Sequence, residues 1–201
     1  MISIIIPSYN NVAYLELCIN SLKKNSHYQN EILVHINEGN DGSIELLKKN
    51  NITYTHTISN VGLCKACNTI SQKCSFEYIL YAHDDMYFLP NWDLILMQRV
   101  NELKNNRFYL SSIMINGDPK LNGHLNLHAG DNIKNFNENY LLNNYKNLEH
   151  DDFQGSTWAP HLIHKELWDR VGGFSEEFSP GAGSDPDLNM KLWSVGVRYF
   201  Q

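Results

Sequence analysis

The sequence lacks a surplus of positive charge and any long apolar run, and each absence excludes a class of protein. Its 201 residues hold 16 Lys and Arg against 22 Asp and Glu, for a formal net charge of −6. This acidic balance, without a stripe of basic residues, argues against a nucleic-acid partner. No apolar run approaches the roughly 20 residues that a membrane-spanning helix needs, so we predict no transmembrane segment.

The chain is also poor in targeting features and in cysteine. Met1 is followed directly by the alternating apolar segment 2–6, without the basic region that opens a signal peptide. Of four cysteines, Cys64 and Cys67 have zinc-like spacing, but no second pair lies at a matching distance. We expect reduced thiols that pack as small apolar side chains. These features predict a cytoplasmic location, and peripheral attachment to the inner face of the membrane stays open as an alternative.

What is present is the pattern of a packed α/β protein. Hydrophobic residues make up 42% of the chain, and the length suits a single domain over residues 1–201. Strands are predicted at 2–6, 31–36, 52–58, 78–82 and 108–115, with helical patterns between them. Strands and helices that alternate at this spacing predict a mostly parallel central sheet with helices on both faces.

Periodicity fails between Asn116 and Asp152, where asparagine is concentrated. Half of the 26 asparagines lie between Asn101 and Asn147, and the stretch 140–145 is its one helical pattern. A long irregular segment inside a compact domain is usually a functional loop or disordered. We therefore hypothesise that this segment contacts a substrate.

Small, polar or acidic residues follow the predicted parallel strands. In chain order they occupy positions 7–10, 37–38, 60–62 and 83–85. Ligands of an open parallel sheet bind beyond the carboxyl ends of its strands, so these segments predict one shared site. Carboxylates there suit a hard divalent cation or a general base. For Asp84 and Asp85, a helix cap or a turn before Pro90 is the structural alternative.

Five motifs in order resemble the inverting, GT-A-fold nucleotide-sugar glycosyltransferases of family 2. They are SIIIPSYN at 3–10, NVG at 60–62 with Ala66 and Asn68, YAHDD at 81–85 with Pro90, GGF at 172–174, and SDPDL at 184–188. The likeness covers nearly the whole chain and is weakest at 116–152. It implies a GT-A (Rossmann-like) fold, with residues 1–115 as the nucleotide-sugar half and 116–201 as the acceptor side.

The resemblance also implies an activity and its partners. It implies inverting transfer of a hexose-type sugar from a UDP-, dTDP- or GDP-linked donor to a glycan or lipid-linked acceptor, as in polysaccharide biosynthesis. Position by position, the donor-binding residues implied are Pro7, Ser8, Tyr9, Glu38, Asn60, Gly62, Lys65 and Asp84. For Lys65, an exposed position on a helix is an equally good interpretation.

The family's metal-binding motif is incomplete in this chain. The first acid of its DxD pattern is Ala82, which leaves Asp84 as the metal ligand and Asp85 as its partner. A divalent cation, Mn²⁺ or Mg²⁺, is still expected, because phosphates and waters can complete its coordination. His83 is expected to bond to backbone, since hard cations prefer oxygen.

The resemblance assigns the catalytic base to Asp185. Ser184 stands where the family usually has Glu, whereas Asp185 matches the base that takes a proton from the acceptor hydroxyl. Asp187 is expected to cap a helix that begins there and runs to Ser194. Trp158 and Trp193 are candidates either for stacking on a sugar or for core packing.

Two other functions are considered. A sugar-phosphate nucleotidyltransferase has a similar layout but needs a basic, Gly-rich phosphate loop after the first strand, and no Lys or Arg occurs here before Lys23. A non-catalytic domain that binds a sugar nucleotide or a glycan is suggested by Ala82 and Ser184. Binding of nucleotide diphosphates with and without Mn²⁺ distinguishes this second alternative from an enzyme.

Overall fold

The computed structural model of the chain describes residues 1–118, 124–152, 154–155 and 159–201. Its strands are β1 (Ile2–Tyr9), β2 (Glu31–Asn37), β3 (Thr53–Thr57), β4 (Tyr78–Tyr81), β5 (Phe108–Ser111), β6 (Met114–Asn116), β7 (His124–Asn126), β8 (His161–His164) and β9 (Tyr199–Phe200). Its α-helices are α1 (Val12–Asn25), α2 (Ser43–Lys49), α3 (Leu63–Ser71), α4 (Trp92–Leu103), α5 (Glu138–Asn144), α6 (Lys165–Val171) and α7 (Ser184–Ser194). Short 3₁₀ turns lie at Tyr145–Asn147 and Glu176–Phe178.

The central sheet has the strand order β3-β2-β1-β4-β8-β5-β9. Neighbouring strands run parallel except at β8, which is antiparallel to both β4 and β5. A parallel strand that leaves the sheet must return by a crossover, and α1 to α3 provide these connections. The predicted α/β fold with a mostly parallel sheet is therefore confirmed.

Alternation along β1 explains why both faces of the sheet are covered. Ile2, Ile4 and Ile6 lie in a core cluster with residues of α1, α2 and α4, whereas Ile5 lies in a second cluster with residues of α3, α6 and α7. Successive side chains of a strand point to opposite faces. The apolar run at the start of the chain thus supplies both cores, as expected for a strand buried on both sides.

The cysteines belong to these cores. All four are free and buried, with Cys64 and Cys67 on the sheet-facing side of α3. Burial raises the pKa of the Cys18 thiol far above its ordinary value and that of Cys74 to about 12. Such thiols are unreactive, and the prediction that the cysteines pack as small apolar residues is confirmed.

The predicted strand 108–115 is divided into β5 and β6, which lie in different sheets, and two further predicted boundaries are wrong by three residues. β1 runs on through Pro7 to Tyr9, because beyond Ile5 it pairs with β2 alone and the missing amide of a proline is tolerated there. α7 begins at Ser184 rather than Asp187, because the first turn of a helix has no intrahelical acceptors for its amides and accommodates Pro186. Asp187 is not a cap, and its Oδ2 instead accepts a hydrogen bond from Ser175 Oγ at 2.6 Å.

The Asn-rich segment has structure of its own. β6 and β7 form a separate parallel pair, and the predicted helical pattern near Tyr140 is confirmed as α5. Glu138, at the start of α5, accepts hydrogen bonds from Lys24 Nζ at 2.9 Å and from Tyr87 Oη at 2.6 Å. α5 is thus attached to α1 and to the loop after β4.

Candidate active site

The carboxyl ends of β1 and β4 are joined by Asp84. Its Oδ2 accepts a hydrogen bond from Ser8 Oγ at 2.6 Å, and its Oδ1 accepts one from Asn11 Nδ2 at 3.1 Å. Burial raises the pKa of Asp84, while the hydrogen bonds from Ser8 and Asn11 oppose that rise by favouring the charged form. The carboxylate is thereby fixed in orientation at the edge where the sequence predicts the ligand.

The ends of β1 and β2 form a connected rim. Asn10 and Glu38 both adopt left-handed backbone conformations, with φ of 46° and 63°. Asn10 Nδ2 donates to Glu38 Oε2 at 3.2 Å, and Asn10 Oδ1 accepts from the amides of Gly39 and Asn40. Tyr9 at the end of β1 is 49% exposed, which leaves its ring free to contact a ligand. Pro7 and Ser8 precede it on the same strand, so four predicted donor contacts share this rim.

The loop before α3 contributes a second wall. Asn60 Oδ1 accepts from the Gly62 amide at 2.9 Å, and Asn37 Oδ1 accepts from the Val61 amide at 2.9 Å. Gly62 has a φ of 81°, and a β-carbon there would lie 2.9 Å from Ser179 Oγ and 3.3 Å from Pro180 Cα. Glycine is therefore required both by the backbone conformation and by the close approach of the 179–180 turn.

Lys65 lies in the first turn of α3 with its side chain exposed. Asp85 is likewise exposed beside Asp84. Ala82 has no exposed surface and belongs to the core beneath α1 and α4. The position where the family has its first acid is thus part of the packed interior in this chain.

Asp185 lies in the first turn of α7 and is partly buried. Burial raises its pKa, and the nearby His83 opposes that rise. Its Oδ1 has no hydrogen-bond partner among the described residues, and His161 Nδ1 lies 4.0 Å away. Ser184, before it, is buried and donates from Oγ to the Gly181 carbonyl at 2.7 Å. The residue that replaces the family's Glu therefore anchors the start of the helix.

His83 connects the two acidic positions. Its Nε2 shares a hydrogen bond of 2.7 Å with Tyr81 Oη, rather than the backbone bond expected from the sequence. It lies close enough to both Asp84 and Asp185 to oppose part of the rise that burial causes in the pKa of each. The structure therefore brings the predicted metal carboxylate and the predicted base to one site, within electrostatic reach of the same imidazole.

Sequence reasoning missed Asn11 and His161. Asn11 directly precedes α1, where an asparagine is typical of a helix cap, yet its side chain makes no capping bond and holds Asp84 instead. His161 lies on a buried strand, where nothing in the local pattern distinguishes it from a core residue.

Trp193 is 49% exposed, with the Arg198 guanidinium 4.0 Å above its ring. Trp158 lies outside the described residues.

A cleft of about 1290 Å³ extends from His83 and Asp85 along α4. Its far wall is built from the segment after β5 and from β7, with Phe136 and Leu141 at its end. The cleft has room for a ligand of several rings. It meets the site just described at His83 and Asp85, on the side away from the β1–β2 rim.

The chemistry of the residues around Asp84 fits a hard divalent cation. Asp84 and Asp85 offer only oxygen donors, and a buried carboxylate whose pKa is raised gains from a neighbouring cation. Across the described ranges, no group of three or more His, Cys, Asp or Glu side chains is placed to hold a metal ion. A cation at this site would therefore depend on Asp84, Asp85, phosphate oxygens and water.

This sheet order, with acidic residues at the carboxyl ends of parallel strands, agrees with the GT-A fold that the sequence motifs imply. The family model described as "Glycosyl transferase family 2" matches residues 3–167, and the chain belongs to that family. The predicted family and GT-A fold are confirmed. A comparison with curated proteins finds no match.

Solved structures agree on the fold. The structure of S. aureus TarS 1-349 in complex with UDP superposes with a TM-score of 0.69 at 17% identity, over 96% of this chain and 54% of that one. The mannosyltransferase PcManGT from Pyrobaculum calidifontis, in complex with GDP-Man and Mn²⁺, gives a TM-score of 0.67 at 16% identity, over 100% and 54% of the two chains. The chain thus spans about half the length of these neighbours.

In the part of the chain that the structure describes, no helix has the length and apolarity required of a membrane span.

Proposed function

We propose that this chain transfers a sugar, with inversion, from a nucleotide-diphosphate donor to a hydroxyl group of a glycan or lipid-linked acceptor. Membership of glycosyl transferase family 2 supports the transferase activity. The neighbouring structures contain UDP, UDP-GlcNAc or GDP-Man, which supports a nucleotide-linked donor.

The observation that carries the proposal is the pair of partly buried carboxylates, Asp84 and Asp185, that both respond to the charge of His83. Asp84 is fixed by two side-chain donors at the end of the parallel strands, while Asp185 has an unpartnered oxygen among the described residues. Sugar transfer from a nucleotide-diphosphate donor requires a group that stabilises the negative charge of the departing diphosphate. It also requires a group that accepts the proton of the acceptor hydroxyl. The two carboxylates suit these separate tasks.

Asp185 is the proposed base. The acceptor oxygen attacks the anomeric carbon as the bond from that carbon to the diphosphate oxygen breaks, and its electron pair leaves with the nucleoside diphosphate. The acceptor's proton passes to the Asp185 carboxylate. Burial raises the pKa of this carboxylate, which makes it a stronger base than an exposed aspartate.

The donor would lie across the β1–β2 rim. Tyr9 and Glu38 would contact the base and the ribose, with Pro7 and Ser8 beneath them, and Asn60 and Gly62 would lie near the diphosphate. Lys65 would approach the phosphates from α3. Asp84, with Asp85 beside it, would hold Mn²⁺ or Mg²⁺, which when bound supplies positive charge to the leaving diphosphate. The acceptor would enter from the cleft along α4, which reaches the site at His83.

A non-catalytic transferase-like domain is the second candidate. It is favoured by Ala82 and Ser184, because both positions where the family carries an acid have a packing role here. Such a domain would bind a sugar nucleotide or a glycan without transferring the sugar.

The test is a thermal-unfolding screen of UDP-, dTDP- and GDP-sugars with and without Mn²⁺, followed by an assay for release of the nucleoside diphosphate. A ligand that binds the native state raises the unfolding midpoint. We expect one donor to protect the protein more strongly with Mn²⁺ and to be consumed when an acceptor is added. Protection by a glycan alone, or protection by a donor that is never consumed, would support the non-catalytic candidate.

A further inference from the structure

His161 lies in the interior of the protein next to Asp185. It is the first residue of β8 and is only 1% exposed, and its Nδ1 is 4.0 Å from Asp185 Oδ1. Its ring packs beside those of Tyr109 and Tyr81, with centroids at 4.7 Å and 6.2 Å. The imidazole is thus held by aromatic neighbours while one of its nitrogens faces the carboxylate.

Three polar atoms of His161 and Asp185 make no hydrogen bond to any described residue. Neither ring nitrogen of His161 has a hydrogen-bond partner among the described residues, and the same holds for Oδ1 of Asp185. A buried polar atom without a partner is costly and uncommon in native proteins. A phenylalanine would fill the space between the tyrosines without this cost, so packing alone does not account for a histidine.

The His161 imidazole is suited to donate a hydrogen bond to Asp185. It is not suited to act as the base that takes the proton of the acceptor hydroxyl. Burial lowers the pKa of His161 to about 3, with a smaller contribution from His83 in the same direction. The ring is therefore neutral near pH 7 and carries a single N–H. It offers Asp185 a hydrogen bond without competing with it as the base.

We propose that His161 is a positioning residue, whose Nδ1–H donates to Oδ1 of Asp185 in the loaded enzyme and leaves Oδ2 to take the proton of the acceptor. This inference rests on the proposed role of Asp185 as the base. The present separation of 4.0 Å must shorten by about 1 Å to become a hydrogen bond. Hydrogen bonds of catalytic groups are often long in unliganded proteins and tighten when substrates bind.

The experiment compares His161→Phe with His161→Asn in steady-state transfer assays over a range of pH. The phenylalanine keeps the aromatic packing and removes the donor, whereas the asparagine restores a donor. For His161→Phe we expect kcat to fall on the order of 10²-fold, because the base is no longer held in place, with the KM for the donor unchanged. His161→Asn should recover part of the loss.

The pH profile separates positioning from a general loss of structure. Removing a hydrogen bond to the charged form raises the pKa of a carboxylate, so the acidic limb of kcat should move to higher pH in His161→Phe. The other titratable groups around Asp185 are unchanged in this variant; they are His83, Tyr81, Tyr109, Cys64 and Cys67. Should His161→Phe fail to fold, His161→Leu serves as the variant without a donor.

A folded variant without the donor that keeps the wild-type kcat and acidic limb would overturn the inference. If Asp185→Asn is inactive in the same assay, the proposed function survives that result. Full activity of Asp185→Asn would instead show that the assignment of the base, and the positioning role with it, is wrong.

Discussion

Asp84 and Asp185 are two carboxylates at one site with different surroundings. Burial raises the pKa of both, and His83 opposes the rise in both. Ser8 and Asn11 donate to the two oxygens of Asp84, whereas Oδ1 of Asp185 lacks such a donor among the described residues. Donors that favour the anion suit a carboxylate that must stay charged beside a cation. A carboxylate that is poorly solvated and weakly bonded suits proton transfer.

The substitution with the largest expected effect removes the proposed base. Asp185→Asn keeps the size of the side chain but cannot take up a proton, so transfer should fall by about 10²–10⁴-fold while donor binding is retained. Release of nucleoside diphosphate and calorimetric donor binding measure the two quantities. Asp187→Asn, two residues along the same helix, is the matched control, and its activity should stay near wild type. If both variants lose transfer activity equally, the loss results from a disturbance of α7 and not from removal of the base.

A smaller loss is expected from Asp84→Asn. Asparagine can still accept from Asn11 through its carbonyl oxygen, and its amide group can donate to the Ser8 hydroxyl oxygen, so the fold should persist while the charge next to the cation is lost. The Mn²⁺-dependent part of UDP, GDP or dTDP binding should weaken by roughly 10²-fold. Calorimetry with and without Mn²⁺ measures it. If Asp84→Asn keeps the Mn²⁺-dependent part of nucleotide binding and Asp85→Asn loses it, then Asp85, and not Asp84, is the main metal ligand.

The smallest effect is expected when the hydrogen bond from Ser8 to Asp84 is removed. Ser8→Ala removes the 2.6 Å hydrogen bond and lets the pKa of Asp84 rise further, so nucleotide binding with Mn²⁺ should weaken about fivefold to tenfold, or about 1 to 1.4 kcal/mol. The loss should grow as the pH is lowered, because protonation of Asp84 then competes with the cation. Ser194→Ala, at the exposed end of α7, is the control. A loss that does not vary with pH would mean that Ser8 contacts the nucleotide directly.

The sheet and the location of its site could be predicted because their signals are local. Apolar runs such as Ile2–Ile6 mark buried strands, and polar residues directly after them mark the edge where parallel strands end. The contact of Ser8 with Asp84 follows from that geometry, since β1 and β4 are neighbours in the sheet. The roles of the individual site residues stay predictions.

Contacts between distant segments could not be predicted where they do not follow from the pairing of neighbouring strands. The hydrogen bond from Asn11 to Asp84 spans 73 positions, and either residue alone resembles a cap or a turn residue. His161 resembles any core residue of a strand until Asp185 is placed beside it. The error at the start of α7 has a local origin, because Ser184, Asp185 and Asp187 are all residue types that favour a helix start, and only the fold selects Ser184.

The close approach at Gly62 joins two parts of the site that have different tasks. The loop that would contact the donor lies against the 179–180 turn, and the Leu63 amide donates to the Pro180 carbonyl at 3.1 Å. That turn leads directly into the first turn of α7 and Asp185. Attempts to redesign donor choice through residues 60–62 would therefore also shift the base and lower the rate. Tyr9 and Glu38, on the opposite rim, are the better starting points for an engineer who wants a new donor at an unchanged turnover.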